Sequence, residues 1–573
     1  MTARAVLAVA LALALAAGCA RPMAGARLAG RPFNVVEVGI PELQRALASG
    51  RITSRQLVVE YLTRIALYED QLKAIITVNP RILEEAEARD RERAQGRIRG
   101  PLHGIPIALK DNIHTTDMPT TGGAVAFEGF RPSYEATLTG NLRAAGALII
   151  AKTVLTELAN WVAGSPTPMP ANYSGLAGYG FNPYDARRDP REGSDDGRVA
   201  LPTGGSSSGI GTAASFWAAS VGTETSGSIL SPASQTMLVG IKPTVGRISR
   251  YGIIPVAADQ DTAGPMARTV TDAAILLGVL EGHAPDPNDP ATGVCPRPRD
   301  HDYTPHLRRD GLAGARIGIP RAFFYDRLTL AGETAARGGL TGDQARVMTD
   351  AIETLRREGA TIVDPADIPS VVEPDPAGNV LLWNMCAGAA GAKGSDAACS
   401  TVFKYGMKRD FNAWLRTLGP SAPVRSLTEL RTFNLAHTAR GAIKYGQVNL
   451  DNSDEMDLEA DRARYLADRA RDLELTARHG IDAVMATHHL DALLFPGWSG
   501  ASLAARPGYP TVIVPFGMVR NAPAPAFPDG FEARPAPFGV SFAGTACSEP
   551  RLIEIAFAFE QATRRRVPPP SAP

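Results

Sequence analysis

Two glycine- and serine-rich segments in the middle of the chain restrict its local structure most strongly. They are Gly204–Gly209 (GGSSSG) and Gly222–Ser228 (GTETSGS). Glycine lets backbone N–H groups approach a ligand and adopt positive φ angles, and such turns form anion-binding nests. A nest beside a hydroxyl suits either phosphate binding or an oxyanion hole with a serine nucleophile. Neither segment continues into the Gly-Lys-Ser/Thr of a P-loop, which disfavours the phosphate-binding alternative.

A serine nucleophile needs a base, and no histidine is an obvious partner in the sequence. A lysine can serve when burial lowers its pKa and leaves it neutral. Of the 59 basic residues only eight are lysines, and one of them, Lys110, ends a predicted buried strand that begins with the apolar run Gly104–Leu109. Taken alone, a lysine in this position is more often a rim residue whose charged end reaches solvent.

The combination of segments resembles the amidase signature family, the Ser–Ser–Lys amidohydrolases, and within it the bacterial peptide amidases. The resemblance covers roughly residues 36–565. It implies an α/β fold, a single large domain with a central mixed β-sheet covered by helices on both faces. The matching blocks are Gly104–Asn112, Gly204–Gly209, Gly222–Pro232, Gly240–Thr244, Asp261–Arg268, Pro510–Pro515 and Gly539–Gly544.

The resemblance also implies roles for individual residues. Ser228 would be the nucleophile, and Ser206 would relay its proton to Lys110. The Gly205–Ser206 peptide bond would be cis. The backbone N–H groups of Thr225, Ser226, Gly227 and Ser228 would form the oxyanion hole.

Three further residues match family blocks and are interpreted as structural: Asp111, Lys242 and Asp261.

The sequence departs from the family pattern at two places. Ser206 and Ser228 are 22 residues apart, two fewer than is usual, so we expect a shorter helix or connection within 211–221. Leu230 stands where the family often has an arginine two residues after the nucleophile. A fixed cation for a substrate carboxylate is therefore missing there, which favours neutral substrates.

The N-terminus predicts export. Residues 1–19 combine one early charge with an apolar run and small residues, as in a secretory signal, and are excluded from the fold. We interpret Cys19 as the lipidated first residue of an outer-membrane-anchored periplasmic lipoprotein. The alternative is a conventional signal cleaved after Ala17 or Ala20. The domain prediction continues with a linker over 20–35, an amidase domain over 36–565, whose last helix is Glu549–Thr563, and a disordered proline-rich tail over 566–573.

Four other cysteines remain after Cys19, and an oxidising compartment permits disulfides among them. Cys386 and Cys399 flank a small-residue segment and are the favoured pair, which leaves Cys295 and Cys547. No cysteine or histidine spacing fits a zinc site, so we expect neither a metal nor another cofactor.

The expected function is a secreted amidase that acts on peptide C-terminal amides or other small neutral amides. Two alternatives remain open: a catalytically weak envelope protein that keeps the nest for binding, and the glutaminase subunit of a tRNA-dependent amidotransferase. The formal net charge is zero, which excludes nucleic-acid binding through bulk positive charge. The predicted partner is a small-molecule or peptide amide, and membrane contact is expected only through the N-terminal lipid.

Overall fold

The computed structural model describes residues 33–165, 167–193, 197–205, 208–387 and 398–573. The predicted signal at 1–19, the predicted lipidation site Cys19 and most of the predicted linker lie outside these ranges. Residues Val35–Pro573 form one compact unit. Within the described ranges, no helix combines the length and the apolar character needed to cross a bilayer.

One mixed sheet of eleven strands organises this unit, as the predicted fold class requires. In chain order the strands are β1 (Ile75–Val78), β2 (Pro106–Lys110), β3 (Leu148–Thr153), β4 (Ala219–Glu224), β5 (Val239–Lys242), β6 (Thr262–Ala267), β7 (Arg316–Gly318), β8 (Thr361–Val363), β9 (Ala492–Pro496), β10 (Thr511–Val519) and β11 (Ala536–Ala543). Their order across the sheet is β1-β3-β2-β4-β6-β5-β10-β11-β9-β7-β8. Strand β2 is parallel to both neighbours, β3 and β4, whereas β6, β5, β10 and β11 pair antiparallel in succession.

Helices connect the strands and flank the sheet. They are α1 (Ile40–Ala48), α2 (Ser54–Leu72), α3 (Ile82–Ala94), α4 (Thr137–Ala144), α5 (Ser208–Ala213), α6 (Leu230–Gln235), α7 (Val270–Glu281), α8 (Gly342–Arg357), α9 (Pro369–Val372), α10 (Val402–Thr417), α11 (Leu427–Ala436), α12 (Val448–Asp454), α13 (Arg462–Leu473), α14 (Asp482–His488), α15 (Ala501–Ala505) and α16 (Glu549–Thr563). A π-helical segment, Glu474–Ile481, follows α13. Two-stranded ribbons join Tyr173–Ser174 to Gly178–Tyr179, Arg327–Leu328 to Arg337–Gly338, and Asn384–Met385 to Cys399–Ser400.

Local sequence explains several of these boundaries. Thr53 and Gln56 exchange side-chain and backbone hydrogen bonds in a capping box that begins α2. Every residue of β2, β3 and β4 is buried, which agrees with their near-continuous apolar or small sequences. Helix α5 has only six residues, and β4 begins at Ala219, so the connection between the two glycine-rich segments is short.

The tail at 566–573 is ordered, contrary to the prediction of disorder from its proline content. The Arg566 guanidinium forms a two-pronged ion pair with Glu37, with N···O distances of 2.7 Å. The Ser571 backbone N–H donates to the Pro183 carbonyl, and Ala572 is buried. Terminal segments are mobile unless contacts hold them, and here partners distant in sequence supply those contacts.

Two disulfides join the four cysteines of the domain. One links Cys386 to Cys399, the pair favoured by the sequence, which are 13 residues apart. The other links Cys295 to Cys547 across 252 residues. It ties the proline-rich stretch after α7 to the loop that precedes α16.

Candidate active site

The site lies at the edge of the sheet where β2 and β4 end. The two strands are parallel neighbours, so their carboxyl ends meet at the same edge. Lys110 is the last residue of β2, and Ser228 follows the end of β4 by four residues. The fold therefore brings the predicted base and the predicted nucleophile to one place although they are far apart in the chain.

Lys110 is fully buried, and its Nζ donates a hydrogen bond of 3.2 Å to the carbonyl oxygen of Thr223 in β4. Burial lowers the pKa of Lys110 to about 8, although the nearby carboxylates of Asp261 and Glu224 act in the opposite direction. A substantial share of this lysine is therefore neutral near pH 8. Its burial sets it apart from the rim lysines that the strand pattern alone would favour.

The segment that carries Ser228 is a tight turn between β4 and α6. Gly227 has a φ angle of +122°, and Gly204 in the facing segment has +78°, both in the region that favours glycine. A Cβ atom added to Gly205 would lie 2.8 Å from the Ser228 Oγ. The two glycine-rich segments thus meet at the Ser228 hydroxyl, which is half-buried.

Ser206 lies outside the described residues, as does the predicted cis bond before it. Gly205, its chain neighbour, is described and lies so close to the Ser228 side chain that a Cβ atom at this position would clash with it. The shorter spacing between the segments has therefore not separated the first segment from Ser228. The four residues predicted to supply oxyanion-hole N–H groups, Thr225 to Ser228, make up the turn itself.

Two carboxylates, the buried Glu224 and the half-buried Asp261, hold this turn at its two ends. Asp261 accepts a hydrogen bond of 2.5 Å from the Thr225 hydroxyl and two more from the backbone N–H groups of Val256 and Ala257. Glu224 accepts from the backbone N–H groups at positions 229 and 230, at 2.7 and 3.0 Å. We call Asp261 and Glu224 the carboxylate clamp.

Burial raises the pKa of both clamp carboxylates, that of Asp261 to about 7. The ammonium group of Lys242 lies near Glu224 and acts in the opposite direction on the pKa of that carboxyl. Lys242 itself is held in place because its Nζ donates to the Tyr509 carbonyl at 2.6 Å. Glu224 was not among the residues predicted from the sequence. The only signal was a carboxylate inside a segment otherwise made of Gly, Ser and Thr.

Asp111, predicted to be structural, lies beside Lys110 but faces a different partner. It forms an ion pair of 3.0 Å with Lys152 of β3, and both side chains are fully buried. Asp111 also accepts a hydrogen bond from the Thr121 backbone N–H. These contacts hold the segment that follows β2 in place. None of them involves a residue of the Ser228 turn.

A cavity of about 260 Å³ opens beside the turn. Thr223, Thr225 and Asp261 line it on the site's side, and aromatic residues including Tyr134 and Trp414 line it on the other. The described part of the chain contains no group of three or more His, Cys, Asp or Glu side chains placed to hold a metal ion. What the site offers is a buried lysine, a hydroxyl and a turn of backbone N–H groups, which suits acyl transfer.

Comparison with known proteins identifies the class. The family model described as Amidase matches residues 56–553. A probable amidase of Arabidopsis thaliana is 34% identical over 541 residues, which cover 94% of this chain and 92% of the relative. A glutamyl-tRNA(Gln) amidotransferase chain of Chloroflexus aurantiacus is 41% identical over 324 residues, 56% of this chain and 58% of that protein.

Among solved structures, the peptide amidase from Stenotrophomonas maltophilia is 36% identical with a TM-score of 0.76. The match covers 94% of this chain and 99% of that one. The chain belongs to the amidase signature family, and it is an enzyme that hydrolyses amide bonds. The predicted family and fold class are confirmed.

Proposed function

We propose that this protein is an exported amidase that hydrolyses peptide C-terminal amides, or other small neutral carboxamides, through an acyl-enzyme on Ser228. Lys110 would act as the base and Ser206 as the relay between them. The observation that carries this proposal is the full burial of Lys110 against the carbonyl of Thr223, in the strand that leads into the Ser228 turn. Arginine could not replace this lysine as a base, because its pKa is too high.

The chemistry follows from this arrangement. Neutral Lys110 accepts a proton from Ser206, which accepts one from Ser228, and the Ser228 Oγ attacks the carbonyl carbon of the amide. The N–H groups of the turn stabilise the oxyanion that forms. When the C–N bond breaks, the relay returns the proton to the leaving nitrogen. Water then attacks the ester, which releases the acid and restores the serine.

The substrate class rests on similarity and on one substitution. The peptide amidase named above matches nearly its whole length to this chain. Leu230 supplies no cation next to the nucleophile, and its N–H is bound to Glu224. A substrate that carries a carboxylate at this point would find no fixed positive charge there, so neutral amides are favoured.

Labelling with a fluorophosphonate tests the nucleophile. The wild type should be labelled, Ser228→Ala should not, and Ser231→Ala is the matched control because that hydroxyl lies in α6, beyond the turn. A panel of amides scored by released ammonia then gives the substrate class. Folded protein that is neither labelled nor active on any amide would contradict the proposal. Glutamine as the preferred substrate, with transfer of ammonia to a partner, would instead favour the amidotransferase alternative.

Export and lipid anchoring are part of the proposal. They are supported by the character of residues 1–19 and by the two disulfides, because disulfides persist mainly in oxidising compartments. Fractionation of cells grown with a labelled fatty acid tests this. The wild type should carry label in the envelope fraction, and Cys19→Ala should lose it. Unlabelled protein in the cytoplasm would refute export.

A further inference from the structure

A second cavity, of about 640 Å³, lies at the far end of α6 from Ser228. Its volume falls within the range of ordinary ligand sites. We call it the Trp498 cleft. Six of the residues that line it are Leu201, Pro202, Gln235, Trp498, Ala522 and Phe538.

Trp498 connects this cleft to the nucleophile turn. A Cβ atom added to Gly227 would lie 3.4 Å from the Trp498 ring, so the ring lies beside the turn with room for little more than a methyl group between them. The same residue lines the cleft and is 43% exposed. A half-exposed tryptophan offers a large apolar face to a ligand. Trp498 therefore borders both the cleft and the nucleophile turn.

The distance from Ser228 to the cleft can be expressed as a number of substrate residues. Gln235, at the end of α6, follows Ser228 by seven positions. At a helical rise of about 1.5 Å per residue, the five steps within α6 amount to about 8 Å, and the two residues before the helix extend the distance to about 10 Å. An extended peptide covers about 3.3 Å per residue, so the same distance corresponds to about three residues.

We propose that the Trp498 cleft is a subsite for the peptide chain of the substrate. The cleft would bind an apolar side chain about three residues before the scissile amide. This rests on the proposed function. Leu201, Pro202 and Phe538 supply apolar walls. The side-chain amide of Gln235 donates to the Ser231 hydroxyl, and its Oε1 has no hydrogen-bond partner and can accept from a peptide N–H. Arg520 stands at the rim with 81% of its side chain exposed, which disfavours a basic residue there.

The test uses the full-length enzyme and N-acetylated oligoalanine amides of one to five residues, with leucine placed at each position in turn. For the wild type, kcat/KM should rise about five- to tenfold once three or four residues are present, and leucine at that position should raise it further. Ala522→Trp should fill the cleft and abolish this gain while leaving hydrolysis of acetyl-alanine amide unchanged. Ala526→Trp is the matched control, because Ala526 is exposed in the same loop but does not line the cleft.

The outcomes separate the two proposals. Equal kcat/KM for all chain lengths in the wild type overturns the subsite but leaves the amidase function standing. An equal loss in Ala522→Trp and Ala526→Trp also overturns it. Failure of the wild type to hydrolyse any of these amides overturns the proposed substrate class and the subsite with it. The series of amides measured on the wild type needs no variant. It therefore tests the subsite even if Ala522→Trp does not fold.

Discussion

The Nζ atom of Lys110 lies 3.2 Å from the carbonyl oxygen of Thr223, so the buried lysine is bound to the strand that leads into the nucleophile turn. A carbonyl oxygen accepts a hydrogen bond from either the neutral amine or the ammonium ion. The contact therefore orients Lys110 without forcing it to stay charged. A general base must be neutral before each turnover. It therefore needs a contact that orients its side chain without strongly favouring the ammonium ion.

The activity should rise with pH through the pKa of Lys110, which burial lowers to about 8. The neutral lysine is the active form and is present above that pKa, so kcat/KM should increase about tenfold per pH unit below 8 and level off above it. At pH 6 about one hundredth of the plateau should remain. Initial rates of ammonia release from pH 5.5 to 10 would show this. A flat profile, with the chemical step rate-limiting, would argue against Lys110 as the base.

Neutralising either clamp carboxylate should change the dependence of kcat/KM on pH. Asp261 and Glu224 both raise the pKa of Lys110, so Asp261→Asn or Glu224→Gln should shift the rising limb to lower pH. The turn would also lose a charged acceptor, and kcat should fall about tenfold. Glu560→Gln is the control, since Glu560 is a half-buried carboxylate that, like the clamp carboxylates, accepts from a backbone N–H, that of Val270, away from the site. An unchanged limb in the clamp variants would show that these carboxylates only support the fold.

Gly205 should tolerate no side chain if the enzyme is to remain active. An added Cβ would lie 2.8 Å from the Ser228 Oγ, closer than real Cβ contacts, so Gly205→Ala should displace the hydroxyl. We expect kcat to fall at least about 100-fold, as in the loss of an oxyanion-hole donor, while the free energy of unfolding changes by about 1 kcal/mol or less. Gly140→Ala is the control, because apart from its chain neighbours and its own helix backbone no atom lies within 4 Å of its added Cβ. Full activity in Gly205→Ala would mean that Ser228 is not the nucleophile in this geometry.

Local patterns in the sequence predicted those parts of the structure that local interactions determine. The apolar run from Gly104 predicted a buried strand ending at Lys110, and the structure has Pro106–Lys110. The last helix, Glu549–Thr563, was predicted with its observed ends because its apolar residues recur at helical spacing. The fold and the placement of Lys110 near Ser228 came from the family resemblance rather than from composition.

Long-range interactions account for what the sequence did not reveal. The proline-rich tail is ordered because Arg566 pairs with Glu37, a residue near the other end of the domain. Cys295 and Cys547 are 252 residues apart and meet only in the folded chain. The role of Glu224 was not predictable, because its partners are backbone N–H groups that carry no sequence signal.

The buried pair of Asp111 and Lys152 should be essential for stability but not for the chemistry. Both side chains are fully buried and 3.0 Å apart, so Lys152→Met would leave a carboxylate in the interior without its cation. We expect the free energy of unfolding to fall by about 3–5 kcal/mol at neutral pH. Burial already raises the pKa of Asp111, and removal of Lys152 would raise it further, so the loss of stability should be smaller at acidic pH, where the folded-state carboxyl becomes protonated and no buried charge remains. Urea unfolding at pH 7.5 and pH 5 measures this. Lys73→Met is the control, because Lys73 is 48% exposed and its contact with Asp70 is long at 3.7 Å.

The double variant Asp111→Asn with Lys152→Met should recover part of the lost stability. An equally small effect of Lys152→Met and Lys73→Met would show that the interior around Asp111 admits enough water to solvate it.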